Sequence, residues 1–146
     1  MRVHHLTTDR SHGDLSVTGD PATLEKRRRA IVDRPWTWLD LVHGGDVVTV
    51  TAPGEHAGAR ADAAVTAHPG AAVAVTTADC APVVLIAPGA VGVAHAGWRG
   101  LVAGVVGATA EAMEALGHPP RGAVIGPCIR PASYEFGPDD LDRVAA

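Results

Sequence analysis

Four short apolar runs between residues 62 and 96 constrain the fold more than any other feature of this sequence. They are DAAVT, AVAVTTA, PVVLIA and VGVAHA, with proline and glycine punctuating the segment. Short runs rich in valine are typical of strands, and nearly continuous apolarity indicates strands covered on both faces. Aromatic residues make up only 3% of the chain, so the core must be packed from alanine, valine, leucine and isoleucine. These runs therefore predict a group of buried strands at the centre of the fold.

Helical patterns flank these strands and are expected to cover the sheet. The segment 19–33 predicts a helix, because Asp20 suits the N-cap and Pro21 suits the first turn. A longer helix is predicted from Arg99 to Leu116, and another begins near residue 137. Further strands are predicted at 3–8, 47–51 and 123–127.

Three glycines share one face of the long predicted helix. They are Gly100, Gly104 and Gly107, spaced four and three residues apart. Because each glycine costs about 1 kcal/mol relative to alanine inside a helix, their presence predicts close backbone packing along that face.

Length and charge argue against several classes of function. At 146 residues the chain, 1–146, is long enough for a single domain with a buried core. The formal charge is −4 and the one basic cluster, KRRR at 26–29, lies in a predicted helix, which gives little support for a nucleic-acid partner. No apolar run approaches the roughly 18 residues of a membrane span, and the start MRVHHLTTDR lacks the apolar core of a secretory signal. We expect a cytoplasmic protein without membrane contact.

Cys80 and His95 are the first candidates for chemistry. Cys80 follows Asp79 at the end of a predicted strand, where a rigid scaffold displays side chains to ligands. Its thiolate would serve as a nucleophile or as a soft metal ligand. His95 ends the run VGVAHA among alanine and glycine, far enough from Cys80 for an antiparallel strand to bring the two together. The alternatives are a packing role for the cysteine and a structural role for the histidine.

His43 and Arg99 extend this candidate site. His43 lies in DLVHGGD, where two glycines permit an unusual turn. Arg99 starts the long predicted helix, where a guanidinium beside a helix N-terminus suits phosphate or carboxylate; a surface salt bridge is the alternative. One cysteine and two histidines form a plausible zinc site with an open fourth position, or equally a cysteine-histidine nucleophile pair with an extra histidine. The residues alone leave both open.

Five blocks of the sequence resemble the laccase-domain family. Its members are known both as multicopper polyphenol oxidases and as purine nucleoside phosphorylases with adenosine deaminase and methylthioadenosine phosphorylase activities. The blocks are VHG at 42–44, ADAAVT at 61–66, TADCAPVVL at 77–85, AHAGWRG at 94–100 and GPCIRPASYEFG at 126–137. They occur in the family's order and cover nearly the whole chain. TDRSHGDLS at 8–16 resembles, less closely, a family segment that contains an arginine, here Arg10.

The resemblance implies a single compact α/β domain with a mixed β-sheet core covered by helices, related to cysteine-dependent toxin catalytic domains. It also implies zinc held by a cysteine and two histidines. Carried over by motif, these metal ligands are His43, Cys80 and His95. Arg99 falls in the tryptophan-arginine block, and we infer that it binds phosphate or substrate. Cys128 lies where the family need not have cysteine, so it is interpreted as a packing residue.

Two departures from the family pattern affect these expectations. Leu41 stands where the family usually has glutamine before VHG, which would remove a polar contact near the site. Family members also continue well past the position of Ala146. The chain is therefore expected to be truncated or reduced at its C-terminus, with part of the substrate pocket affected.

The function implied by the resemblance is a zinc-dependent purine nucleoside phosphorylase acting on a purine nucleoside and phosphate, with adenosine deaminase and methylthioadenosine phosphorylase as further activities. The catalytic residues would be Cys80, His95, His43 and Arg99. One alternative is copper-dependent polyphenol oxidation, although the eight histidines include no His-X-His pair, so a complete laccase does not fit one chain. Others are a metal-free hydrolase with Cys80 as nucleophile and His95 as base, and an inactive truncated domain.

Overall fold

The computed structural model describes residues 2–145 as an α/β protein. In chain order, its helices and strands are α1 (Pro21–Ile31), β1 (Trp36–Asp40), β2 (Val47–Val50), β3 (Ala59–Arg60), β4 (Ala63–Thr66), β5 (Ala72–Ala74), β6 (Ala81–Ala87), β7 (Ala90–Ala96), α2 (Trp98–Val102), α3 (Val105–Ala115), β8 (Gly122–Ile125) and α4 (Pro138–Ala145). Short 3-10 turns lie at Arg10–His12 and Pro131–Ser133. None of the described helices is long and apolar enough to cross a membrane.

The strands form two sheets. The larger has the order β2-β4-β7-β6-β8, in which β2 and β4 are parallel and the other neighbours are antiparallel. The smaller, β3-β1-β5, is parallel throughout. Helix α3 contacts β4 and β7 of the larger sheet, and β5 of the smaller sheet contacts the same two strands. The predicted α/β fold with a mixed sheet is confirmed, and a second sheet as well as helices covers it.

Alternating residues of the central strands supply two hydrophobic clusters. Successive side chains of a strand point to opposite faces. On one face Val65 packs with Met113 of α3, and on the other Val93 packs with Leu39 of β1. All four residues of β4 are buried. The coverage of both faces that the apolar runs predicted is therefore confirmed for the centre of the sheet.

The ends of several elements differ from the sequence prediction. The strand predicted at 3–8 is wrong: most of these residues are exposed, and no described strand pairs with them. Strands β1 and β3 were missed, because neither forms a continuous apolar run. The helix at 19–33 is confirmed as α1, where the side chain of Asp20 accepts a hydrogen bond from the backbone N–H of Thr23 at 2.8 Å. The predicted C-terminal helix is α4, and residue 146 lies outside the described residues.

The long helix predicted at 99–116 is in fact two helices that meet at Gly104. This glycine has a φ of 79°, in the left-handed region that glycine adopts at little cost. Close packing is confirmed at Gly100, where a Cβ would lie 3.2 Å from the carbonyl oxygen of Gly44 and 3.3 Å from that of His95. The prediction of close packing is wrong for Gly104 and Gly107. Apart from chain neighbours and the backbone of their own helix, no described atom lies within 4 Å of a Cβ built at either glycine.

Substitutions at two glycines are expected to change stability in opposite directions. Gly92→Ala should lower the free energy of unfolding by about 1 to 3 kcal/mol through overpacking, because its Cβ would lie 2.8 Å from Cγ2 of Thr109 and 3.0 Å from the sulfur of Met113. Gly107→Ala, in open space on α3, should raise it by about 0.5 to 1 kcal/mol. Urea unfolding of the two variants measures both changes. Equal stabilities would contradict this account of the packing.

Candidate metal centre

Three side chains from separate segments meet at one end of the larger sheet. His43 lies in the turn between β1 and β2, Cys80 directly precedes β6, and His95 lies near the end of β7. Their potential ligand atoms, one from each side chain, lie within 4.8 Å of one another. The sequence singled out these three residues, and the structure brings them together as the Cys-His-His group.

The pairing of β6 with β7 accounts for the approach of Cys80 to His95. The two strands are antiparallel, with Ala81 opposite Ala96 and Pro82 opposite His95. The predicted antiparallel arrangement is therefore confirmed. Cys80, however, precedes its strand instead of ending one, because β5 stops at Ala74 and the chain bends before β6.

Gly97 keeps the space between the cysteine and the first histidine open. A Cβ at this position would lie 2.9 Å from Sγ of Cys80 and 3.3 Å from Cδ2 of His43. The rings of His43 and His95 meet edge to face, with their centroids 4.8 Å apart. Gly97, which directly follows the run VGVAHA, thus leaves room for the side chains of Cys80 and His43 beside His95.

Asp62, which the sequence analysis did not single out, contacts both histidine segments. It is fully buried, at 0% exposure, and its Oδ1 lies 2.9 Å from Nδ1 of His95. Its carboxylate also accepts hydrogen bonds from the backbone N–H groups of Val42, His43 and Gly44, at 3.2, 2.9 and 2.8 Å. The only signal in the sequence is a carboxylate inside the apolar block ADAAVT, where a buried charge requires partners.

The turn that carries His43 is unusual, as the sequence predicted, but for a different reason. His43 itself has a φ of 60°, which is uncommon for a residue other than glycine. Of the two glycines that follow, Gly45 serves close approach instead, since a Cβ there would lie 2.7 Å from the carbonyl oxygen of Ala103. Because three successive amides of this turn bond to Asp62, the carboxylate holds the backbone that presents His43.

Burial and hydrogen bonding shift two pKa values in the site. Burial raises the pKa of the Cys80 thiol, and the carboxylates of Asp79 and Asp62 raise it further. Burial alone would raise the pKa of Asp62, but hydrogen bonds from His95 and from the turn amides outweigh it and hold the pKa below its ordinary value. An ionised carboxylate can only accept hydrogen bonds. Nδ1 of His95 therefore carries the proton, and Nε2 is left to face a ligand.

The donor set fits a zinc ion. Bond lengths of about 2.3 Å to sulfur and about 2.0 Å to nitrogen place neighbouring ligand atoms of a tetrahedral zinc roughly 3.3 to 3.6 Å apart. The three atoms lie within 4.8 Å of one another, so the side chains would have to draw closer around a bound ion. The bond between His95 and Asp62 matches the carboxylate partner that metal-binding histidines commonly have. Sulfur and imidazole ligands also suit copper, so the donor set leaves the metal's identity open.

The other residues named from the sequence lie outside the Cys-His-His group. Arg99 is exposed, and its guanidinium carbon lies 4.4 Å from the ring centroid of Trp98. It lies on α2, which has only five residues, so the long helix expected to begin there is absent. Arg10 is exposed in the first 3-10 turn, and Leu41 packs on the second hydrophobic cluster. Cys128 is half-buried and takes no part in the group.

The fold and this site define an α/β protein with a Cys-His-His group at the end of a mixed sheet. Over residues 7–146 the chain matches the sequence model of the family described as multi-copper polyphenol oxidoreductase laccase. The chain therefore belongs to this family, as the sequence blocks indicated.

Similar proteins include several that carry the name purine nucleoside phosphorylase. The chain is 45% identical to one from Streptomyces griseus, across 95% of this chain and 65% of that protein. It is 47% identical to one from Streptomyces coelicolor, across 97% of this chain and 55% of that protein. The crystal structure of YlmD from Geobacillus stearothermophilus is similar with a TM-score of 0.74 and 28% identity, across 89% and 55% of the two chains. The chain thus spans only about half to two thirds of the length of these proteins.

Proposed function

We propose that this chain carries the metal site of a zinc-dependent purine nucleoside phosphorylase, with His43, Cys80 and His95 as metal ligands. The observation that carries the proposal is the convergence of three ligand atoms within 4.8 Å. The names of the similar proteins from two Streptomyces species support the choice of reaction. Because the chain spans only part of their length, its own activity and substrates are part of the proposal.

The reaction transfers a ribosyl group to phosphate. A phosphate oxygen attacks C1′ of the nucleoside, the bond from C1′ to the purine nitrogen breaks, and its electron pair leaves with the base. The base then takes up a proton, and the products are free purine and ribose 1-phosphate. A zinc ion bound by the Cys-His-His group would act as a Lewis acid that stabilises developing negative charge.

The residues of the chain would position the reactants around this chemistry. Asp62 holds the proton on Nδ1 of His95 and, through the backbone, the orientation of His43. Gly97 keeps the site open beside Cys80. Arg99 follows Gly97 by two residues, and its exposed guanidinium would bind phosphate through paired hydrogen bonds.

Two further activities and one alternative belong to the proposal. In the first, water attacks C6 of adenosine, which would release ammonia and give inosine. In the second, phosphate would cleave methylthioadenosine in the same way as inosine. Copper-dependent polyphenol oxidation is the second candidate, favoured by the description of the family and by ligands that also suit copper. The three residues of the Cys-His-His group provide for one metal ion.

Product analysis by chromatography tests the proposal. The zinc-loaded chain is incubated with inosine, and we expect hypoxanthine and ribose 1-phosphate in equal amounts, only when phosphate is present. Cys80→Ala should abolish the products, whereas Cys128→Ala is a matched control outside the Cys-His-His group and should retain them. A higher KM for phosphate in Arg99→Ala would support the assigned role of that residue. No product from the folded, zinc-loaded chain would contradict the proposal for this chain.

Parallel reactions separate the alternatives. Base released without phosphate would indicate hydrolysis, and inosine formed from adenosine would indicate deamination. Oxidation of a phenol by the copper-loaded chain alone, with no nucleoside cleavage, would favour the oxidase.

A further inference from the structure

Arg28 of helix α1 is a buried cation that forms no ion pair with the residues the structure describes. The residue is only 6% exposed, and its guanidinium carbon lies 4.7 Å from the ring centroid of Trp38. Burial lowers its pKa, and the attraction of Glu25, at longer range, offsets only part of this. Within residues 2–145 it belongs to none of the ion pairs. A buried charge of this kind is costly unless an acceptor reaches it.

Arg28 is one of the residues that line a cavity of about 380 Å³. Every enclosed side-chain nitrogen or oxygen of the described residues has a hydrogen-bond partner. No hydrogen bond joins the Arg28 side chain to another described residue, so its N–H groups are not fully enclosed, and the residue lies in the wall of this cavity. A volume in the range of about 300 to 1,000 Å³ is typical of sites for small molecules.

The lining of this cavity combines positive charge with apolar walls. None of its described lining residues is aspartate or glutamate. The positively charged or titratable residues around it, besides Arg28, are Arg2, Arg34, His4, His5 and His68. The apolar walls include Trp36 and Trp38 of β1 and Val84 and Val93 of the larger sheet. The Cys-His-His group does not line this cavity, so it is separate from the candidate metal centre.

We propose that this cavity binds a small organic anion, with its negative group on Arg28 and its apolar body against the two tryptophans and the valine face of the sheet. A carboxylate or a phosphate monoester supplies the two acceptor oxygens that a guanidinium binds side by side. The absence of carboxylates from the described lining favours an anion over a neutral or cationic ligand. The proposal goes beyond nucleoside chemistry and does not depend on a metal ion.

Two fluorescent dyes of similar shape test the proposal. The anionic probe is anilinonaphthalene sulfonate, and the neutral one is N-phenyl-1-naphthylamine. We expect saturable binding of the anionic dye, and Arg28→Met should weaken it by about tenfold or more, as expected for losing a hydrogen bond to a charged group. Binding of the neutral dye should not change. Arg29→Met is the matched control, because Arg29 lies on the same helix but pairs with Glu25 at 2.7 Å; it should bind both dyes as the unmodified chain does.

Unchanged binding of the anionic dye in Arg28→Met, or no saturable binding to the unmodified chain, would overturn the proposal. Competition on the unmodified chain gives an independent test if Arg28→Met does not fold. Octanoate and octyl phosphate should displace the anionic dye, whereas octanol at the same concentration should not. Equal displacement by octanol would show that charge plays no part, and the proposal would fail. Whichever of octanoate and octyl phosphate displaces the dye at the lower concentration carries the preferred anionic group.

Discussion

Cys80→Ala is expected to abolish tight zinc binding at the Cys-His-His group. Of the three proposed ligands, Cys80 is the only one that would contribute an anionic sulfur, and two histidines alone do not complete the three-ligand site of a catalytic zinc. Because even the loss of an outer partner costs about 10- to 100-fold in metal affinity, the loss of the thiolate should cost at least as much. Competition with a chromophoric chelator measures the zinc affinity. Cobalt substitution gives a second readout, since only a thiolate ligand produces a sulfur-to-cobalt charge-transfer band.

Cys128→Ala separates the loss of a ligand from the general loss of a thiol. Cys128 is half-buried like Cys80, but it lies outside the Cys-His-His group. The control should bind one zinc ion with unchanged affinity and retain the cobalt band. Stoichiometric, tight zinc binding by Cys80→Ala would show that the metal site is not the one proposed.

The hairpin that brings two of the three side chains of this site together was predictable because its signals are local. The strands β6 and β7 are continuous apolar runs, and the turn between them contains Gly89, whose φ of 88° suits glycine. An antiparallel hairpin with a short turn has few alternative registers, so His95 had to return close to Cys80. The separation of Cys80 and His95 along the chain was therefore enough to predict that their side chains approach each other.

The smaller sheet was not predictable in the same way, because the strands that pair within it lie far apart in the chain. Strand β1 pairs in parallel with β3 and β5, which both come from later segments. β3 has only two residues and carries no apolar pattern. Parallel pairing of such short strands depends on the larger sheet beneath them, and single-sequence patterns do not describe that support.

The burial of Arg28 could not be read from the basic cluster alone. The sequence places KRRR at 26–29 in a predicted helix, and α1 buries only one of its arginines, Arg28. Leu24 and Arg28 are the two buried residues of the helix, and they are four positions apart. Spacing of this kind places them on one face. The pattern shows which arginine faces inward only once Leu24 is known to be buried, and the cavity itself arises from segments far apart in the chain.

Asp62→Ala is expected to cause the largest loss of stability of any single substitution considered. The change leaves Nδ1 of His95 and the amides of Val42, His43 and Gly44 without their acceptor. A hydrogen bond to a charged group contributes about 1.5 to 3 kcal/mol, and four such bonds are lost, so the total loss should exceed about 3 kcal/mol. Urea unfolding in the absence of zinc measures this loss directly. A change below about 1 kcal/mol, the size of an ordinary substitution, would contradict the role assigned to the carboxylate.

Asp62→Asn distinguishes the positioning of the histidines from simple support of the fold. Asparagine keeps the size of the side chain and one acceptor oxygen, so part of the bonding to the turn amides survives. Its neutral amide no longer holds the proton on Nδ1 of His95 by charge, and the ring is free to turn or to exchange tautomers. We expect a smaller loss of stability than in the alanine variant, but a fall in zinc affinity of about 10- to 100-fold. If both substitutions lower stability while the zinc affinity of the folded asparagine variant stays unchanged, Asp62 supports the fold and does not orient the metal ligands.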